Sequence, residues 1–337
     1  MRRIITLAFL VAIVLLLTQA EWWLVLAVGA AAIVGITILT DAYLFNGGVY
    51  KNAIEPTVIS GLLQLTPCFI IPLWMWEKIT TVQMDVVTVV IASVAIIAGI
   101  ANVCAWGFYF RAMRIHQDGV GIAVLWNLLI ATVPVVAYFT IGEELRMEQY
   151  IGIGMLFLGA TIASYRKKTE AGGKVVLFML LAVALMTVSV IMLKDVFAMF
   201  EARRESEVFW KGFLPFALGE GLVGMAVFFI MTRRETIQLG GIVKRFWPIF
   251  LLTEGGQVVA EIFSARALSE GAASLVTAVD GLIGAFVVTV SILVAWMLKG
   301  TRRGLLAEEV EQKQIGSIGQ KLVGIVLVTI GAYLIGT

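Results

Sequence analysis

The feature that most constrains this chain is the recurrence of apolar runs, each close to the length of a membrane-crossing helix. Five come first: Leu24 to Phe45, Thr57 to Trp76, Val86 to Phe110, Val120 to Ile141 and Tyr150 to Tyr165. Five more follow: Val175 to Phe197, Gly212 to Met231, Phe246 to Ala267, Ala272 to Leu298 and Leu322 to Ile335. A helix crosses the hydrocarbon core with about 20 apolar residues. The expectation is therefore an all-α integral membrane protein with ten core transmembrane helices. Composition agrees, at 60% hydrophobic and 14% charged residues, far from a soluble domain. The net charge of +2 gives no case for nucleic acid. Cys68 and Cys104 both lie in apolar runs, which argues against a disulfide framework. The single histidine, His116, falls in a short polar connector read over Arg111–Asp118. It reads as a solvated loop residue, and a histidine-based metal site is not expected.

An eleventh run, Ile4 to Leu17, follows Met1-Arg2-Arg3 and precedes Glu21-Trp22-Trp23. It reads as an extra N-terminal hydrophobic helix, with a cleaved signal or a start placed too far upstream as the other readings. Between the runs, Arg166 to Lys174 is the clearest linker. Glu201 to Lys211 and Arg233 to Arg245 read as charged connectors. Lys299 to Lys321 reads as the longest polar stretch, holding a short surface helix near Leu305 to Gln314.

The two halves match. Val34 to Asp41 lies against Val188 to Asp195, and Phe110-Arg111-Ala112 against Phe263-Ser264-Ala265. At the same offset Asn127 meets Asp280, and Leu129-Ile130 meets Leu282-Ile283. Gly152-Ile153 and Gly159-Ala160 match Gly324-Ile325 and Gly331-Ala332. Five spans per repeat is an odd number, so the second repeat enters the membrane upside down. Two inverted five-helix repeats are expected, with residues 1–21 as the extra segment, 22–168 as repeat one and 169–337 as repeat two. Such repeats mark secondary transporters, whose site lies near the midplane between them.

Within that frame one run stands out. Glu254, Gln257 and Glu261 are spaced i, i+3, i+7, which puts all three on one helix face. Charged side chains at membrane depth cost several kcal/mol and normally face a cavity or a partner. They are the first candidates for a substrate or proton pathway; the competing reading has them reaching the headgroups. Glu220 between two glycines, Asp280, Asn102 and Asn127 are candidates for the other walls, with Trp106 and Tyr109 on the Asn102 face. Each amide could equally bond a neighbouring helix, and each aromatic could equally be packing. Glu143-Glu144 and Glu308-Glu309 sit in connectors and read as facing water. No Gly-rich phosphate loop is present.

The sequence resembles the EamA-like branch of the drug/metabolite transporter superfamily. The resemblance is carried by Phe110-Arg111-Ala112-Met113, by Pro134-Val135, by Gly142-Glu143-Glu144-Leu145 and by the glycine-spaced helix with Gly152 and Gly159. It spans about Leu24 to Gly336. It implies a secondary transporter rather than an enzyme: a permease or exporter moving a small metabolite, amino acid or amphipathic compound by alternating access. It implies no cofactor, a multi-pass location in the cell membrane, and a monomer or homodimer. Protons are a candidate coupling partner, because a carboxylate in apolar surroundings can exchange a proton near neutral pH. A lipid or lipid-linked-sugar flippase is the alternative, and a membrane-embedded lipid-modifying enzyme stands further off. For orientation, the connectors after core spans one, three, five, seven and nine carry sixteen Lys and Arg against seven in the others. The positive-inside rule places the richer set in the cytoplasm, whereas the resemblance implies both termini there.

Overall fold

The structure is a computed structural model that describes residues 21–80, 85–116, 122, 125–164, 172–231, 233–297 and 318–336. Among the described residues every regular element is a helix. In chain order these are α1 (Trp22–Asn46), α2 (Ile54–Leu63), α3 (Thr66–Thr80), α4 (Val86–His116), α5 (Leu128–Ile141) and α6 (Met147–Ser164). Then come α7 (Gly173–Ala202), α8 (Val208–Ile230), α9 (Arg233–Glu270), α10 (Ala273–Val279), α11 (Leu282–Met297) and α12 (Ile318–Gly336). Among the described residues five stretches are long and apolar enough to cross a membrane: α1, Ile54–Leu73, α4, α7 and α8. Large apolar side chains such as Leu73, Val86, Phe139 and Phe229 stand on the outside. An apolar exterior around a buried polar interior is what a bilayer selects. The chain is a multi-pass, all-α membrane protein.

Local chemistry sets several helix ends. Asn52 Oδ1 accepts from the N–H groups of Ile54 and Glu55 at 2.9 and 3.0 Å, starting α2. Asp85 Oδ1 accepts from Thr88 N–H at 2.7 Å and does the same for α4, a side-chain oxygen on an otherwise unpaired donor. Gly142 ends α5 at φ +65, a left-handed conformation glycine adopts without penalty.

The helices depart from the sequence expectation in informative places. The segment read as one span over Thr57–Trp76 is broken at Gln64–Leu65, and a new helix starts at Thr66, where Pro67 is tolerated because a first-turn N–H has no helical partner to lose. The helix read as ending at Phe110 continues to His116, so half-buried His116 is the last residue of α4 and not a loop residue. The helix read as ending at Phe197 runs to Ala202 and carries Lys194 and Asp195 inside it. The charged connector Arg233–Arg245 is helical and forms the first part of α9, which is 38 residues long and kinks at Phe246, two residues before Pro248. At 1.5 Å per residue that is roughly 57 Å, well beyond a hydrocarbon core of about 30 Å. The fourth apolar run of each half is interrupted by a turn, at Asn127 and at Asp280–Gly281. The two turns share a bond: Ile130 N–H donates to Asn127 O at 3.1 Å, and Ile283 N–H to Asp280 O at 3.0 Å. The N-terminal run, most of the Arg166–Lys174 linker and the surface helix read near Leu305–Gln314 lie outside the described residues.

Packing is closest where glycines meet. α4 crosses α8 with backbones in contact: a Cβ on Gly99 would stand 2.0 Å from Phe216 O, and one on Gly219 2.1 Å from Ile96 O. Gly61 and Gly224 bring α2 against α8 in the same way. Gly152 and Gly159 of α6 meet Gly331 and Gly324 of α12. Small residues permit such approach, and dispersion then supplies the attraction that lipid-facing surfaces lack. α9 packs along α1, and α7 along α4.

Candidate functional site

The functional face is built from the glycine crossing outward. Gly99 and Gly219 fix α4 against α8, which leaves Asn102 and Glu220 one turn or less away. Asn102 Nδ2 donates to Glu220 Oε1 and, at 3.1 Å, to Glu261 Oε1. One amide thus ties carboxylates from α8 and α9. Asn102 and Glu220 are 1% exposed, so neither finds bulk water. Glu220 Oε2 has no hydrogen-bond partner.

Beside this triad lies a cavity of about 70 Å³. Its walls come from α1, α4, α5, α7, α8, α9, α10 and α11. Its polar groups include Asn102, Ser189, Gln257, Glu261, Thr277 and Asp280, and Trp106 and Trp126 form an aromatic wall. The two indoles stack at 5.1 Å with 23° between planes. Among the described residues no Lys, Arg or His lines this cavity.

A second, smaller cavity of about 10 Å³ lies further along α9 and shares Trp106 and Gln257 with the first. Asp41 and Glu254 line it. Tyr50 O–H donates to Glu254 Oε1 at 3.0 Å, and the Thr37 hydroxyl, whose proton goes to Val34 O at 2.9 Å, lies 3.3 Å from Gln257 Oε1. The i, i+3, i+7 face of α9 therefore looks onto both cavities, with Gln257 between them.

The structure brings Glu220, Asn102 and Glu261 into one bonded group, and Gln257, Glu261, Asp280, Asn102 and Trp106 onto one cavity wall. Glu254 belongs to the smaller cavity. Tyr109 and Asn127 line neither: Tyr109 packs edge-on against Trp106 and Trp126 at 5.2 and 5.7 Å, and the Asn127 amide nitrogen is buried without a partner behind Trp126 and Leu129. Sequence reasoning passed over Trp126, Tyr50, Ser60 and Thr37 altogether. Trp126, one residue before the turn at Asn127, was the most accessible of these signals, since a tryptophan inside an interrupted span needs somewhere to go.

Where α9 gives way to α10, two distant charges hold the turn, Lys194 on α7 and Glu143 in the connector between α5 and α6. Lys194 Nζ donates to Leu268 O at 3.1 Å and Gly271 O at 2.8 Å. Glu143 accepts from the N–H groups of Ala273 and Ser274 at 2.8 and 2.9 Å. The cation thus serves a helix C-terminus and the anion an N-terminus, each matching the local dipole. Glu143, read from sequence as facing water, is instead the cap of α10. Leu268, Val276 and Thr277, flanking this turn, are cavity walls, so the clamp borders the cavity at that end.

No family model matches the sequence. No curated protein matches it. Solved structures do resemble it: one, described only as "Crystal structure of protein", has a TM-score of 0.64 at 12% identity, covering 92% of this chain and 94% of its own. At that identity the likeness shows a shared fold over nearly the whole length.

Proposed function

We propose that the chain is a secondary transporter of a small cationic or zwitterionic compound, working by alternating access with proton exchange on its buried carboxylates. The observation that carries this reading is the cavity lined by Glu261 and Asp280, with Glu220 behind Asn102 and no basic side chain among its described walls. Buried carboxylates without a counter-charge are costly, and a cationic ligand or protons relieve that cost. The Trp106–Trp126 wall adds the π-face a positive group prefers. A volume of about 70 Å³ suits an occluded state that must open further for anything larger than a compact amine. In alternation, the carboxylates bind the cation on one side, release it on the other and return protonated.

The reading extends to two inverted five-helix repeats and to membership of the EamA-like branch of the drug/metabolite transporter superfamily, in a cell membrane. The repeat is supported by the pairing of helices: α1 lies along α9 as α4 lies along α7, and α11 meets α1 as α5 meets α7. It is supported too by the matching turns at Asn127 and Asp280 and by the reciprocal glycine contacts of α6 and α12.

The test is a screen of small amines, amino acids and amphipathic cations in sealed vesicles holding the purified chain, with and without a proton gradient. The expected result is uptake of a subset, accelerated when protons run the opposite way. Fluxes equal to those of empty vesicles across the whole panel would sink the reading.

A further inference from the structure

We infer that the smaller cavity is a binding site for one dehydrated alkali-metal cation, of sodium size, separate from the substrate cavity. Six of the eight residues lining it carry a side-chain oxygen: Thr37, Asp41, Ser60, Thr253, Glu254 and Gln257. All six are buried, between 2% and 7% exposed. The remaining two, Trp106 and Phe110, present aromatic rings, and no Lys, Arg or His is among the eight.

The direction of the hydrogen bonds says which kind of ligand fits. Thr37 O–H is committed to Val34 O at 2.9 Å, and Thr253 O–H to Ile249 O at 2.9 Å. With their protons spent on backbone carbonyls, both hydroxyls offer only lone pairs. Tyr50 and Ser60 give their protons to Glu254. Asp41 Oδ1, in a side chain 6% exposed, has no partner at all. Apart from the Gln257 amide N–H groups, the cavity therefore presents acceptors, which disfavours an anion and leaves two carboxylates facing a common space. They cannot both stay ionised there uncompensated.

Size narrows the ligand. About 10 Å³ is room for one water-sized particle. Hard cations take oxygen ligands, and neutral hydroxyl and amide oxygens complete a shell for a singly charged ion. Magnesium keeps several of its waters, which this space does not hold. Dehydrating a doubly charged ion also costs far more than dehydrating a singly charged one. Gln257 and Trp106 belong to both cavities, so an ion here sets the position of two walls of the substrate cavity. The ion site stands on its own geometry; its use to drive transport rests on the reading proposed above.

The test uses the purified full chain in detergent, with thermal unfolding followed in sodium chloride against choline chloride at equal ionic strength. A ligand bound only by the folded state stabilises by an amount that grows with the logarithm of its concentration above the dissociation constant. At tenfold over its dissociation constant this amounts to a rise in Tm of about 2 °C. Stabilisation that rises with sodium concentration and that Asp41→Asn abolishes is the expected result. Sodium having no effect beyond choline, magnesium or calcium stabilising in its place, or an equal sodium effect in Asp41→Asn would overturn the site. If Asp41→Asn does not fold, Ser60→Ala decides, since it removes one neutral ligand and no charge. A threefold or greater loss of apparent sodium affinity supports the site, and unchanged affinity refutes it. Because none of these readouts involves transport, they separate failure of the ion site from failure of the transport reading.

Discussion

Asn102 has two unlike flanks. Toward α8 the backbones touch at Gly99 and Gly219, and no side chain could be added. Toward α9 the same residue borders an open, carboxylate-lined space. Both flanks lie inside one apolar helix, and their difference comes from what each neighbour contributes. Glycine removes side chains and lets backbone meet backbone; α9 brings polar side chains that need room and partners. The rigid flank serves the open one, because an amide that must hold two carboxylates at hydrogen-bond length cannot sit on a loose crossing.

The comparison is broken most severely by adding one methyl to the rigid flank. Gly99→Ala puts a Cβ 2.0 Å from a backbone carbonyl oxygen, which cannot rotate away. Overpacking of this kind costs about 3 kcal/mol or more, and the expected outcome is little folded protein by size-exclusion chromatography. Gly240→Ala, where nothing lies within 4 Å, is the control and should unfold no earlier than the parent, since alanine is favoured over glycine by roughly 0.5–1 kcal/mol in a helix. Equal behaviour of the two variants would refute the contrast.

Next in size is the junction itself. Asn102→Ala removes the donor shared by Glu220 and Glu261. A buried acceptor left without its donor costs about 2 kcal/mol, to be read as a lowered Tm. Glu220→Gln in the same background should recover part of the loss, because it removes one of the two stranded charges.

How much of this was legible beforehand can be judged from particular residues. The α9 face was legible because Glu254, Gln257 and Glu261 are polar in an apolar run and their spacing fixes a common side. The outer glycine contacts were legible because the spacing of Gly152 and Gly159 recurs in Gly324 and Gly331. The first part of α9 was not, since Arg233, Arg234, Lys244 and Arg245 look like a connector, and charge alone does not separate a loop from a helix extending beyond the membrane core. Nor were the turns at Asn127 and Asp280: no Gly or Pro adjoins Asn127, and the Asp280-Gly281 pair is embedded in an otherwise unbroken apolar run. The role of Glu143 depended on α10 starting 130 residues away, and no local pattern carries that. The residues that share a cavity with Asp41 likewise come largely from α2 and α9, and only the folded chain brings them together.

A smaller effect sharpens the account of how the open flank is closed. Glu143→Ala removes the acceptor of two N–H groups at the start of α10, a cap worth about 1 kcal/mol. Beyond that loss, a cysteine placed at Thr277, with Cys68 and Cys104 replaced by Ala, should react faster with a membrane-impermeant thiol reagent than in the intact clamp. Lys194→Met should do the same from the other side of the turn. Unchanged labelling in both variants would mean that the clamp does not gate the cavity.

The smallest effect lies outside the spans, at the entry to α4. The Thr88 hydroxyl beside it, the Arg203 guanidinium at 2.8 Å and the Thr88 N–H at 2.7 Å hold Asp85 below the ordinary carboxylate range. A depressed value in the folded state means the stabilisation is present above the unfolded aspartate's pKa and is lost as pH falls through the folded one. Asp85→Asn should therefore unfold slightly earlier than the parent at neutral pH, and the gap should close only in strong acid. A gap that closes between pH 5 and pH 7 would assign the effect to another group.

The central claim is that the carboxylates on α9 act on the transported species and do not merely tie helices together. Glu261→Gln tests it most directly, since the amide keeps the shape and can still accept from Asn102 but cannot carry charge or exchange a proton. In sealed vesicles with a substrate moved by the parent chain, a normally folded Glu261→Gln protein should lose proton-driven uptake by tenfold or more and lose its dependence on pH. Uptake at the parental rate with the parental pH profile would contradict the claim and leave the α9 face as a structural network.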